Sequence, residues 1–394
     1  MAAKKVPRLT WLRIKGYRAF KDFKDVTFGP LEVIVGANGS GKTSLFELLR
    51  FIRDGMKNDI PPGIIEDPPG RQIFHIPGEE EFEWRFMVDF SLPYQVKYTG
   101  QILGPRERFR VSLEKVERDY PGKGVKPPGF MSVRGGRGSI SENAQKKPLD
   151  QKIALLKPNR LALSTVMNPA FSTLYNLREY IRGWELYDSF NIAVDKIRRP
   201  TPIEQDAALH KDCRNLSSVL HFLMTEHGQR FDELQQHIGL VIPGFKGLTV
   251  KARGGPGEVI AFWRESAIDS DLSLADLSEG ILRFLCWAVI CLHPKPPTLV
   301  CIDEPELGVH PRTMPVLAGL FQKACERTQF ILATHSSYFL TQFDISEIAV
   351  MRKENGEAKF IKPGDSAVIK GILEDFGPEE IEALHLSDEL ERLP

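Results

Sequence analysis

With 394 residues the chain exceeds the size at which a single hydrophobic core stops growing, so two lobes, or a core carrying a large insertion, are expected. Hydrophobic residues at 42% and charged residues at 26% exclude a disordered or fibrous chain. A formal net charge of zero, from 52 basic and 52 acidic side chains, excludes a global electrostatic attraction to nucleic acid or to an anionic membrane and leaves only local basic surfaces.

The N-terminus MAAKKVPRLTW is followed by no apolar stretch of the secretory kind, so a cytoplasmic location is expected. Leu9, Trp11, Leu12 and Ile14 alternate as a strand running into Tyr17-Arg18-Ala19-Phe20, and a second apolar strand covers Leu31 to Val35. A helix follows with Leu45, Leu48, Leu49 and Ile52 on one face, fading at Asp54-Gly55. From Gly55 to Gly78 proline and glycine predict a surface loop, and Phe82 to Phe90 opens a set of antiparallel strands.

Glycine, proline and basic residues dominate from Gly122 to Lys147, which reads as a mobile loop. From about Leu161 to His237 the pattern is helical, including Leu174 to Tyr187 and Leu216 to Met224, and Leu248 to Trp263 is β-like. Beyond it apolar strands at Leu299 to Ile302 and Phe330 to Ala333 alternate with helices, as in a parallel sheet covered on both faces. The expected division is 1–160, 161–247 as a helical insertion, and 248–394. The run Phe284 to Leu292 is too short to cross a bilayer and reads as a buried helix. Five cysteines form no CxxC pair and read as reduced, buried thiols.

Gly36-Ala37-Asn38-Gly39-Ser40-Gly41-Lys42-Thr43 fits GxxxxGK[ST] between an apolar strand and a helix. Glycines let the backbone N–H groups and the helix N-terminus wrap phosphate oxygens, Lys42 reaches the β and γ phosphates of ATP, and the Thr43 hydroxyl is placed for Mg²⁺. Four apolar residues, Leu299 to Ile302, run into Asp303-Glu304, where Asp303 is the expected Mg²⁺ ligand and Glu304 the general base for an attacking water. Phe330 to Ala333 ends in Thr334-His335, placing His335 as a γ-phosphate sensor. Leu277-Ser278-Glu279-Gly280 precedes the helix Ile281 to Leu292; Ser-x-Gly there is an anion site or an ordinary N-cap, and its place between phosphate loop and acidic pair favours the former.

In that order these motifs resemble the ABC-type ATPases of the RecF, SMC, Rad50 and OLD group, especially the short, arm-less AAA_21 proteins, with Ile14 to Phe20, Asn215-Leu216, Pro243-Gly244-Phe245, Asp303 to Pro311 and Thr334 to Ser336 as further matching segments. The resemblance implies an α/β ABC-type P-loop core with a mixed, largely parallel sheet, flanking helices, an antiparallel β rim and a helical insertion in place of a coiled coil. It implies nucleotide contact by Arg18, a grip by Ser278, Glu279 and Gly280 on the γ-phosphate held by the opposite copy, and a D-loop at Leu307 to His310. Gln72 is the candidate Q-loop residue at the metal, with Gln95 and Gln101 behind it. Two departures stand out: the Q-loop has no clear match, and the signature continues with Ile281 where many transporters have Gln.

Two copies, or a higher even-numbered assembly, are then expected to close around ATP and to control DNA engagement or a separate effector, in anti-phage defence or DNA repair. OLD-type relatives carry a C-terminal Toprim nuclease, and the stretch after His335 is too short for one, so a nuclease or toxin is expected on another polypeptide. Direct DNA contact rests on Arg106 to Arg137, where nine Lys/Arg face four Asp/Glu with Tyr120 and Phe130 interleaved; a solvated loop fits the same residues. The alternative is an ATP-gated scaffold or sensor with slow turnover and no DNA contact. No membrane partner is expected.

Overall fold

The computed structural model describes residues 6–61, 73–75, 81–104, 110–120, 129–144, 147–187, 194–197, 199–253, 255–354, 356–365 and 381. Three sheets organise them. The first runs antiparallel through β1 (Arg8–Tyr17), β2 (Phe20–Thr27), β4 (Glu81–Asp89), β5 (Gln95–Leu103), β6 (Arg110–Asp119), β7 (Met131–Arg134), β8 (Arg137–Ala144) and β9 (Lys147–Ala154), in the spatial order β2-β1-β4-β5-β6-β7-β8-β9.

The second is the central sheet. Its order is β10 (Trp184–Tyr187), β15 (Leu299–Asp303), β16 (Phe330–Thr334), β3 (Leu31–Val35), β17 (Ile348–Glu354) and β18 (Glu357–Ile361), parallel except at β18. β3 is buried at every position, as a strand covered on both faces requires. A third, small sheet joins β11 (Thr201–Pro202), β13 (Glu258–Glu265), β12 (Phe245–Ala252) and β14 (Leu272–Ser273).

One hydrophobic core lies between the antiparallel sheet and one face of the central sheet, around α1 (Lys42–Lys57) and α2 (Ser172–Arg182), with Trp84, Phe86, Tyr98 and Trp184 among its largest members. The other covers the opposite face with α3 (Leu216–Glu226), α4 (Gly228–Val241), α5 (Glu279–Leu292) and α6 (Met314–Ala324). The two cores cross both boundaries of the expected three-part division. Gln329 clasps the two sheets together: its amide accepts from Leu9 N at 2.8 Å and donates to the carbonyls of Leu9 and Gly29 at 2.8 Å each.

Three sequence expectations are corrected. Gly122 to Lys147 is not a loop along its length: residues 121–128 lie outside the described residues, while β7, β8 and the start of β9 extend the sheet. Met131, Val133 and Ile140 face the core in alternation, and Gly135 and Gly136, at φ 53° and 78°, make the two-residue turn that closes a hairpin. Trp184 to Tyr187 is not helical but the edge strand β10, because its pairing with β15 outweighs an apolar run too short to show a period. Finally, α1 continues through Gly55 to Lys57, because Met56 extends its buried face and Gly55 packs against Leu161.

Candidate functional site

Strand register gathers the site. Ile34 pairs with Ala333 and Val35 with Thr334, while Ala333 pairs with Asp303, so β3, β16 and β15 end side by side. The next residues along each strand are Gly36, His335 and Glu304, and parallel sheets present ligands at this carboxyl edge. A cavity of about 240 Å³ opens there, lined by Ala19, Asn38 to Ser44, Asp303, Glu304 and His335.

The loop is built for an anion. Gly39 and Gly41 sit at φ 79° and 114°, and a Cβ on Gly36 would stand 1.9 Å from the Met351 carbonyl oxygen, so glycine is required where the loop passes β17. Lys42, nearly buried, donates from Nζ to the carbonyls of Gly36 at 2.5 Å and Ala37 at 3.2 Å. Ser40 Oγ is buried without a hydrogen-bond partner among the described residues, on a residue that lines the cavity. A lysine, a threonine hydroxyl and two carboxylates around this cradle fit a nucleotide polyphosphate with Mg²⁺, which Thr43 and Asp303 would hold.

Glu304 adopts φ 54°, a left-handed conformation that costs about 1–3 kcal/mol in a non-glycine residue and is found concentrated at active sites. Its amide donates to Ala333 O at 2.8 Å, tying the acidic pair to the strand that ends at His335. Partial desolvation, then the Lys42 ammonium, lowers the His335 pKa below the usual imidazole value against an opposing pull from Glu304. His335 is therefore held toward its neutral form, able to accept and to donate at the cavity it lines.

Ser278, Glu279 and Gly280 do not line this cavity. They open α5, where Ser278 Oγ accepts from Ile281 N at 3.3 Å and Glu279 pairs with Arg283 one turn on. Ser278 and Gly280 instead line a separate cavity of about 670 Å³ with Val241 to Pro243, Phe284 and Gly308 to His310. A Cβ on Gly280 would lie 2.5 Å from Gly308 O, so the helix start and the Leu307 to His310 turn touch backbone to backbone.

Arg18 also stands outside the phosphate-loop cavity: its guanidinium pairs with Glu47 of α1 and lines a neighbouring pocket with Tyr17, Arg50 and Asp54. Gln72 lies outside the described residues. Gln95 accepts from Thr10 Oγ1 at 2.9 Å and Gln101 from Ser112 Oγ at 2.9 Å, both on the antiparallel sheet away from the cavity. Glu306 carries a contact that residue-by-residue reading passed over: its Oε1 accepts from Thr334 Oγ1 at 2.5 Å and His335 N at 3.4 Å. The signal was an acid two residues past Glu304, unreadable without its partner strand.

The outer face of the antiparallel sheet carries a second pattern. Successive pairings align Arg13, Arg85, Thr99, Lys115, Ser132, Ser139 and Lys152 in one row across seven strands. Arg13 is held by Asp22 and Arg85 by Glu83, whereas Lys115 and Lys152 have no acidic partner among the described residues. Arg134 and Arg137, flanking the exposed Gly135-Gly136 turn, lie on the same face; Arg106 and Arg108 lie outside the described residues.

Comparison with known proteins agrees with this architecture. The model of the AAA_21 family, described as "AAA domain, putative AbiEii toxin, Type IV TA system", matches residues 32–341. The OLD nuclease of Thermus scotoductus is 22% identical over 387 residues, covering 93% of this chain and 66% of that protein. The zinc import ATP-binding protein ZnuC 1 of Hahella chejuensis is 30% identical over 99 residues, 25% of this chain and 34% of its own length. The chain thus spans about a third to just under two thirds of these curated relatives.

Among solved structures, an Smc head bound to the C-winged helix domain of ScpA superposes with a TM-score of 0.53 at 14% identity, covering 90% of this chain and 97% of that one. The Smc head with an extended coiled coil bound to the C-terminal domain of ScpA from Pyrococcus furiosus gives 0.52 at 11%, covering 94% and 99%. At such identities the likeness speaks to the fold alone. The family match spans the phosphate loop, the acidic pair and His335, and the chain belongs to the AAA_21 family, among the ABC-type ATPases of the RecF, SMC and OLD group.

Proposed function

We propose that the chain binds and hydrolyses ATP at the phosphate-loop cavity, and that two copies close head to tail so that Ser278, Glu279 and Gly280 of one complete the site of the other. The observation that carries this reading is the separation of parts. Lys42, Thr43, Asp303, Glu304 and His335 share one cavity, while Ser278 and Gly280 line another beside the Leu307 to His310 turn.

In this mechanism the backbone N–H groups of the loop and the α1 N-terminus hold the phosphates, and Lys42 exchanges its loop carbonyls for phosphate oxygens. Thr43 and Asp303 would hold Mg²⁺, which would supply neutralisation of the phosphate charge. Glu304 orients and deprotonates the attacking water, and His335 hydrogen-bonds the γ-phosphate end. Closure is driven by the binding free energy of the nucleotide at the interface, and hydrolysis loosens it.

The output is control of DNA engagement or of a separate effector, in anti-phage defence or DNA repair. The row from Arg13 to Lys152 supports DNA. At about 4.8 Å per strand its six steps span roughly 29 Å, or about eight base pairs of duplex. The family description's toxin, the relative named as a nuclease and the Smc heads bound to ScpA support an effector protein. The alternative, a slow ATP-gated scaffold without DNA contact, draws on the apolar lining of the larger cavity, where Val241, Ile242, Ile281 and Phe284 suit a protein partner.

Solution mass of Glu304→Gln with ATP and Mg²⁺, beside Lys42→Ala and the unmodified chain, tests the reading. A trapped even-numbered assembly in Glu304→Gln, absent in Lys42→Ala, is expected. A Glu304→Gln protein that binds ATP without any change of assembly would remove the role given to Ser278 and favour the scaffold.

A further inference from the structure

We propose that Glu306 is a positioning residue for His335, the link through which the Leu307 to His310 turn sets the histidine at the phosphate end of the cavity. Glu306 sits two residues beyond Glu304 but does not line the cavity. Its side chain turns instead into the neighbouring strand end. Oε1 accepts from Thr334 Oγ1 at 2.5 Å and from His335 N at 3.4 Å.

The chain of bonds continues on the far side of the histidine. Thr334 Oγ1 accepts from Ser336 N at 3.0 Å, and Ser336 Oγ accepts from Phe339 N at 3.1 Å, capping the turn Ser337–Leu340. His335 is thereby bracketed, before and after, by groups that lead back to one carboxylate. The backbone of Glu306 belongs to the turn on the other side, since Val309 N donates to its carbonyl at 2.9 Å and Leu307 N donates to Glu304 O at 3.1 Å. That turn also touches α5: Trp287 Nε1 donates to Pro305 O at 2.9 Å, and Gly280 meets Gly308. A displacement at the start of α5 therefore reaches His335 through a continuous series of contacts, in which the Glu306 side chain makes the bonds to the histidine's segment.

The second carboxyl oxygen sharpens the assignment. Oε2 is buried and has no hydrogen-bond partner among the described residues, an unfavourable state for a polar atom. Burial also raises the carboxyl above its usual range, against the hydrogen bonds from Thr334, its own backbone and His335. An apolar side chain would fill the same space without that cost. What it could not do is accept two hydrogen bonds on one oxygen, one of them from the histidine's own backbone.

The inference rests on the ATPase reading, and its test separates the two. Glu306→Met keeps the volume and removes the acceptors, whereas Glu306→Gln keeps an acceptor oxygen. The histidine ring signals of the full-length, nucleotide-free chain are followed by NMR, with His335 assigned through His335→Asn, together with phosphate release and the KM for ATP.

In Glu306→Met the His335 signal is expected to move or broaden while the other histidines hold still, and kcat to fall roughly tenfold with KM within about twofold. Glu306→Gln is expected to stay close to the unmodified chain on both measures. If Glu306→Met fails to fold, Thr334→Val cuts the same link from the other side and is expected to move the same signal. An unmoved His335 signal in the acceptor-free variant overturns the proposal, as does a rise in KM without loss of kcat. A chain that releases no phosphate even unmodified refutes the ATPase reading alone, and the His335 signal still decides the role of Glu306.

Discussion

The two large sheets of this protein are used in opposite ways. The central parallel sheet is buried on both faces, so its chemistry can emerge only where strands end, and β3, β15 and β16 each release one functional segment at the same edge. The antiparallel sheet hides one face in the core and leaves the other open, so its functional candidates lie in rows across strands. The function proposed above divides along the same line, with nucleotide chemistry at the strand ends and a large partner across the strand face.

The sharpest way to break that division is at a strand end. Glu304→Gln is expected to reduce ATP turnover by at least about 10²-fold while leaving ATP affinity within a few-fold, the scale of a lost general base. Phosphate release and equilibrium binding measure the two quantities. Comparable losses in both would mean that Glu304 only helps hold the nucleotide.

A change inside the antiparallel sheet should do the reverse. An added Cβ at Gly100 would lie 2.0 Å from the Trp84 ring, so Gly100→Ala is expected to cost about 1–3 kcal/mol in urea unfolding and to leave nucleotide affinity unchanged in the folded protein. Weakened ATP binding there would show that the sheets are coupled rather than divided in labour.

The open face is tested by salt. Replacing Lys115 and Lys152 together with Ala is expected to lower the slope of log affinity for duplex DNA against log salt by about 2, without altering turnover in the absence of DNA. An unchanged slope would leave the row without a nucleic-acid role and favour the scaffold.

The smallest effect is one of pH. The Glu114 carboxyl faces Tyr98 OH, at 2.8 Å, and the amides of Ala162 and Leu163, and is raised to about 7 chiefly by burial. The folded chain then binds its proton more tightly than the unfolded one. The resulting stability is complete below the ordinary value of 4.5 and is lost as pH rises through about 7. Urea midpoints between about pH 5 and 8 should fall, and fall less in Glu114→Gln. A flat profile would mean that the three donors keep this carboxylate ionised throughout.

Much of the central sheet was legible because its residues obey local rules: the phosphate loop has fixed spacing, and Leu299 to Glu304 and Phe330 to His335 are apolar runs ending in polar groups. The rim was less so. Met131 to Ala154 is poor in apolar residues, and its pairing depends on β6, which the sequence does not place beside it. Trp184 to Tyr187 fits either period over four residues, and only β15 decides it. Arg18, expected at the nucleotide, is found with Glu47, a contact set by where α1 packs and not by spacing. The approach of Gly280 to Gly308 could not be read from either glycine alone, because it depends on two segments folding against each other.

The position of β3 in the central sheet has a consequence for how the protein is made. The strand that carries the phosphate loop, Leu31–Val35, has as its neighbours Phe330–Thr334 and Ile348–Glu354, encoded some three hundred residues later. At about 5–20 residues per second, roughly 15–60 s of synthesis separate the strand from its first partner. Throughout that interval both of its edges lack their native hydrogen bonds, so an incomplete chain should have no working phosphate loop. Nucleotide capture should begin abruptly, once Phe330–Thr334 and Ile348–Glu354 have been made.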